Sequence, residues 1–123
     1  MVRVLVVEDN DTYREALELV LGLAPDLDVT TARDGARALH LCVHGCPDVA
    51  LVDYRLPDLD GVEVTVGIRA ACPQTAIVGL TAVADVPEVE AMLAAGARAC
   101  LTKDGELREI VAAIREAAGG TGR

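Results

Sequence analysis

Tryptophan and phenylalanine are absent from this chain, and its aromatic complement is Tyr13 and Tyr54. With so few ring faces there is nothing to stack successive bases or sugars, which removes the usual platforms for single-stranded nucleic acid and carbohydrate. Cations are scarce too: 11 Lys and Arg stand against 20 Asp and Glu, a net charge of −9. That sign repels phosphate backbones and anionic membrane surfaces, so direct DNA binding by this chain is not expected. No apolar run reaches the roughly eighteen residues that a membrane-spanning helix needs. The opening MVRVLVV runs straight into EDND with no small-residue cleavage site, so it reads as a strand and not as a signal peptide, and a cytoplasmic protein is expected. Cys42, Cys46, Cys72 and Cys100 sit in apolar or helical surroundings without a disulfide-rich framework, and are expected as reduced thiols packed as small hydrophobes.

What is present is apolar patterning. A chain of 123 residues that is 52% hydrophobic can build one core and is too short for two. Short β-branched runs at 2–7, 28–32, 49–52, 76–80 and 99–101 alternate with segments of helical period. The first helix is predicted over Asn10 to Gly22, the second over Gly35 to His44, the fourth over Val86 to Ala95 and the fifth over Gly105 to Ala118. The third candidate, VEVTV at 62–66, alternates like a strand, but a strand there would break the alternation of elements on either side, so a helix is predicted. Strict βα alternation implies a doubly wound α/β fold with a five-stranded parallel sheet, in the flavodoxin-like order 2-1-3-4-5, covered on both faces by five helices. Strands buried on both faces explain why VLVV and ALV show no polar alternation.

In such sheets ligands bind beyond the carboxyl ends of the strands. The residues there are Glu8 and Asp9 after the first strand, Asp53 after the third, Thr81 after the fourth and Lys103 after the fifth. Carboxylates gathered within a few ångströms repel by roughly 4 kcal/mol per pair at an effective dielectric near 20, so a divalent cation is the natural compensation. Mg²⁺, or Mn²⁺ in its place, suits a few carboxylates completed by water and a phosphate oxygen. A carboxylate on a rigid strand tip beside such a metal can act as a nucleophile toward a phosphoryl group, with Thr81 donating a hydrogen bond to one phosphoryl oxygen and Lys103 neutralising another. Taken singly, each of these residues has a plainer reading as a helix cap or a solvated surface charge. Five compatible residues at the strand ends make that reading weaker for the set.

VVEDND, LVDYRLPDLDG, GLTA and CLTKD, in this order and spacing across nearly the whole chain, resemble the markers of two-component response-regulator receiver domains. The resemblance implies that Asp53 is the phospho-acceptor, that Asp9 binds metal directly and Glu8 through water, and that Arg55 lends its backbone carbonyl. It makes Thr81 a switch hydroxyl and Lys103 its counter-charge, and it places Pro57 and Gly61 in the loop after the phosphorylated strand. Two positions depart from the pattern. Cys100 stands where the family usually has an aromatic ring that moves with the threonine, and Asp104 follows the lysine where many relatives have a cis proline. Lys-Asp is familiar in the branch whose receivers feed a LuxR-type helix-turn-helix output domain.

On this resemblance the chain takes a phosphoryl group from a phosphohistidine on a sensor histidine kinase. It catalyses only its own phosphorylation and dephosphorylation, and it controls a homodimer or an output domain, reaching DNA only through the latter. A phosphorylation-independent pseudo-receiver is the alternative, to which Cys100 lends some weight. An aspartyl-nucleophile phosphatase would want an acid two residues after the nucleophile, where Arg55 stands. Val83, two residues beyond Thr81, cannot orient a hydrolytic water, so slow self-dephosphorylation is expected. HLCVHGC at 40–46 has tempting zinc ligands, but on a helix His40 and His44 face about 200° away from Cys42 and Cys46. The receiver is expected over 1–118, with the glycine-rich 119–123 a frayed tail or the start of a linker.

Overall fold

The structure, a computed structural model, describes residues 1–82 and 85–121, with 120 and 121 as backbone only. Five strands alternate with five helices: β1 (Val2–Val7), α1 (Asp11–Gly22), β2 (Leu27–Ala32), α2 (Gly35–His44), β3 (Val49–Asp53), α3 (Gly61–Ala71), β4 (Ala76–Thr81), α4 (Val86–Ala95), β5 (Ala99–Thr102) and α5 (Leu107–Thr121). All strand pairs are parallel and the sheet order is β2-β1-β3-β4-β5, the predicted doubly wound arrangement.

Successive residues of a strand face opposite sides of the sheet, so the apolar runs of β1 and β3 supply two core layers at once. Val4, Val6, Leu51 and Leu80 pack with Leu17 and Leu21 of α1 and Ile110 and Ile114 of α5. On the other face Leu5, Val7, Val52 and Ile77 pack with Cys42 of α2, Val64 and Ile68 of α3 and Met92 of α4. β1 and β3 are central and flanked on both sides, which explains why their apolar runs are continuous.

Local chemistry sets the helix ends. Asn10, Asp34, Asp60 and Asp85 each accept a hydrogen bond from the backbone N–H three residues on, and Asp60 forms a reciprocal capping box with Glu63. That box resolves the ambiguous VEVTV: Val64, Thr65 and Ile68 are buried on one helical face, and burial plus the cap outweighs the weak helix propensity of β-branched residues. α4 ends on Gly96 in the left-handed region, φ 117°. The fifth helix starts at Leu107, two residues later than predicted, and continues to Thr121, so 119–121 are helical while 122 and 123 lie outside the described residues. Extending a formed helix adds one hydrogen bond per residue, which offsets the glycine penalty of about 1 kcal/mol.

The cysteine expectation is corrected. Cys46 and Cys72 form a disulfide, with Cα atoms 5.6 Å apart, while Cys42 and Cys100 are free thiols. α2 and α3 are neighbours running the same way against the sheet, so their carboxyl ends meet at the edge opposite the strand tips. Cys46, just past α2, there faces Cys72, the C-cap of α3. The same bond takes Cys46 out of any metal site with His40 and His44, whose exposed rings pack edge to face at 4.7 Å.

Candidate functional site

β3 carries Asp53 as its last residue, between β1 and β4, where two neighbouring strands can bring side chains to it. The register sets Asp53 beside Leu80, so Thr81 stands one step further along β4. Beyond β1, the Glu8 N–H donates to the Ala32 carbonyl and so prolongs the pairing with β2 by one residue. The Lys103 N–H donates to the Thr81 carbonyl at 2.8 Å, which prolongs the β4–β5 pairing by one residue and sets Lys103 at the same edge. The five predicted residues therefore converge, although Asp53 and Thr81 are the last residues of their strands rather than the first beyond them.

Glu8 and Thr81 are fully buried and Asp53 is 3% exposed. Lys103 Nζ donates to Asp53 Oδ2 at 2.9 Å and lies 2.5 Å from Glu8 Oε1, so a single ammonium bridges two buried carboxylates. Glu8 Oε2 accepts from the Asn10 N–H at 3.0 Å, whereas Oε1 has the ion pair but no aligned hydrogen-bond donor. The other Asp53 oxygen, Oδ1, accepts a longer bond of 3.3 Å from the Arg55 N–H. Asp9 is exposed at the rim. One carboxylate oxygen from each of Glu8, Asp9 and Asp53 lies within 4.8 Å of the others.

Three carboxylates against one ammonium leave a negative excess, and Glu8 Oε1 offers a buried acceptor with spare capacity. An all-oxygen, anionic, partly hydrated donor set fits a hard divalent cation. The acids report the same excess. Burial pushes the Glu8 carboxyl up to about 7, with the Asp53 charge adding to it and the Lys103 and Asn10 contacts opposing. Burial works against the Lys103 ammonium, but its bonds to Glu8 and Asp53 prevail and hold its pKa above the ordinary lysine value.

The sign of the resulting pH dependence follows. Between about pH 4.5 and 7 the folded chain holds a proton on Glu8 that the unfolded chain has released, so metal-free stability falls as pH rises through this window. The Lys103 contribution is constant there, being lost only as pH climbs from the ordinary lysine value of 10.5 to its raised pKa, and the lowered carboxyls of Asp11, Asp26 and Asp58 act below their ordinary 3.8. Urea midpoints in the presence of a chelator are expected to be lower at pH 7 than at pH 5, and Glu8→Gln is expected to flatten the difference. A midpoint that falls with pH as steeply in that variant as in the parent would contradict the assignment.

The loop after Asp53 is built to sit close. Gly61 begins α3 against the strand end: a Cβ there would stand 2.7 Å from both the Asp53 carbonyl oxygen and Tyr54 Cα, and the Gly61 N–H donates to the Tyr54 carbonyl at 2.7 Å. Asp58 accepts from the Gly35 and Ala36 N–H groups at 2.9 Å, tying the loop to the start of α2. Arg55 reaches away from the acids to Glu88 on α4, Nη2 donating to Oε2 at 2.7 Å.

Two neighbours were not legible from sequence. Glu88 is a buried acid whose helical spacing matches an ordinary first-turn glutamate, and Tyr13 lies under Lys103, with the ammonium 5.0 Å from the ring centroid. Burial raises the Tyr13 pKa. The one available signal was that Tyr13 lies four residues before Leu17, on the inward stripe of α1. Cys100 stands beside Met92: a Cβ on Gly79 would meet Met92 Cε at 2.9 Å and Cys100 Sγ at 3.1 Å, so the space that an aromatic ring would take is filled from α4. The Lys103–Asp104 peptide is trans. Val83 lies outside the described residues.

Known proteins resemble this chain in sequence and in fold. The response regulator receiver domain model matches residues 4–115. The probable transcriptional regulatory protein NarL of Mycobacterium tuberculosis is 38% identical over 120 residues, covering 97% of this chain and 56% of NarL. LiaR of Bacillus subtilis is 36% identical over 121 residues, covering 98% of this chain and 57% of LiaR. The chain thus spans little more than half the length of these curated relatives. Among solved structures, the NarL receiver domain from M. tuberculosis superposes with a TM-score of 0.90 at 38% identity, covering 97% of each chain. A LuxR-family response regulator from Aurantimonas gives 0.90 at 27%, covering 98% of this chain and 86% of that one. With the family model covering β1 from Val4 and the other four strands whole, and the acids, hydroxyl and lysine gathered at one sheet edge, this chain belongs to the response-regulator receiver domain family.

Proposed function

We propose that Asp53 accepts a phosphoryl group from a phosphohistidine on a sensor histidine kinase, and that the modified chain switches a protein-interaction surface. The observation that carries this reading is the Lys103 ammonium shared between Glu8 and Asp53 at the tip of a buried strand. Lys103 holds Oδ2, so Oδ1, with its single longer hydrogen bond, is the oxygen free to attack phosphorus while the histidine nitrogen leaves. Lys103 is then placed to neutralise the phosphoryl oxygens, and Thr81, at the end of the adjacent strand, to donate a hydrogen bond to one of them. Asp9 and Asp53 directly, Glu8 through water and the Arg55 carbonyl would hold Mg²⁺ or Mn²⁺. The bound ion would supply charge neutralisation for the incoming phosphoryl group.

Turnover of a free substrate is not part of this reading: position 55 offers an arginine engaged with Glu88 in place of a second acid. Self-dephosphorylation is slow, because valine at position 83 has no polar side-chain atom to orient a water. The switched surface comprises α4, β5 and α5, facing a second copy or an output module. The LuxR-family likeness and the greater length of the relatives support a transcriptional output domain. The receiver then occupies 1–118, and 119–123 lead toward that module. The kinase partner places the chain in the cytoplasm. Incubation with Mg²⁺ and a small acyl phosphate is expected to add one phosphoryl mass, a gain that a chelator prevents when added before the reaction but does not reverse when added after it. No gain in mass under these conditions would favour a pseudo-receiver.

A further inference from the structure

We propose that Arg55 is an exchangeable tether, holding the first turn of α4 through Glu88 in the unmodified chain and moving its guanidinium to the phosphoryl group once Asp53 is modified. This rests on the reading of Asp53 as phospho-acceptor.

The pair is asymmetric. The Arg55 side chain is 74% exposed while that of Glu88 is 9% exposed, so the cation is free to move and the anion is not. Glu88 has no second cationic partner among the described residues. Arg55 begins beside the acceptor, its N–H 3.3 Å from Asp53 Oδ1, so its side chain leaves from the point where a phosphoryl group would stand. A phosphoryl group brings about −1.5 to −2 charge and a planar pair of oxygens suited to a guanidinium, and outcompetes a single carboxylate for it. Losing Arg55 strands a buried carboxylate, which is strongly unfavourable unless it reaches water.

Relief comes through the helix that carries the stranded charge. Glu88 and Met92 are one turn apart on the inward face of α4, and Met92 occupies the space between Gly61, Gly79 and Cys100. Cys100 offers no ring to swing into that space. The coupling between the acceptor and α4 therefore runs through charge: Glu88 turns outward, and the first turn of α4 loosens with it.

Amide hydrogen exchange across 86–95 in the full chain tests this, with Mg²⁺ present and beryllofluoride added as the phosphoryl mimic. Bound fluoride is read separately by ¹⁹F resonance. In the parent, α4 exchange is expected to accelerate about five-fold or more on binding. In Arg55→Ala, at an exposed side chain, α4 is expected to exchange fast beforehand, whereas in Glu88→Gln, an isosteric change that removes the charge to be relieved, it is expected to stay slow; each is expected to change less than about two-fold on binding, with the double variant behaving as Glu88→Gln. Bound fluoride with an equal α4 response in all variants, or with none in the parent, would overturn the tether and leave the acceptor reading intact. Absence of bound fluoride in the parent would reject both.

Discussion

Asp53→Asn is expected to take up no phosphoryl group from a small acyl phosphate and Mg²⁺, a fall on the order of 10³-fold or more, the scale on which loss of an activated nucleophile acts. The substitution keeps shape and one acceptor oxygen, so Lys103 retains a partner and the fold is expected to survive. What is lost is the negative oxygen proposed to attack phosphorus. The amide nitrogen introduced in its place is no substitute, because its lone pair is delocalised into the carbonyl. Intact mass spectrometry after a timed incubation reads the result directly, and circular dichroism confirms that the variant is folded. Uptake in the variant at the parent's rate would move the acceptor elsewhere, with Asp9 the nearest exposed carboxylate of the cluster. Lys103→Ala is the instructive companion. Removing the bridging ammonium leaves Glu8 and Asp53 facing each other, so it is expected to slow phosphorylation and also to destabilise the metal-free chain.

Reduction of the Cys46–Cys72 bond is expected to lower stability by about 3.5 kcal/mol at 25 °C. The bond joins residues 26 apart, and closing a loop of that length removes unfolded-state entropy of this size. For a domain of this length the loss corresponds to a fall of roughly 10 °C or more in the unfolding midpoint. The closed loop contains β3 with Asp53, the loop that follows it and α3. Thermal unfolding with and without a dithiol reductant measures the effect. Cys46→Ser isolates it, since Cys46 is exposed and its replacement opens no cavity, whereas Cys72 is 1% exposed and its removal would add a packing loss. Equal midpoints in the oxidised parent, the reduced parent and Cys46→Ser would show that the cross-link constrains nothing.

Local patterning was enough to reach the class of fold and the edge at which to look. VLVV and ALV are apolar without alternation because strands covered on both faces have no polar side, and that signal is carried within a few adjacent residues. Asn10, Asp34 and Asp60 sit where helices begin for equally local reasons, as does Gly61 where the chain presses against its own strand. Once the alternation implied a parallel sheet, the strand tips and hence Glu8, Asp9, Asp53, Thr81 and Lys103 followed.

What these residues touch came from long-range packing alone. Lys103 meets Asp53 across 50 residues, Arg55 meets Glu88 across 33, and Cys46 meets Cys72 across 26. No spacing rule reaches that far, because such pairs depend on how helices lie on the sheet. α2 and α3 could pack side by side with their ends a few ångströms further apart, and the thiols would then remain apart. Glu88 reads in sequence as an ordinary acid in the first turn of a helix. Only its burial, with one exposed cation as partner, makes it a charge whose position depends on another residue.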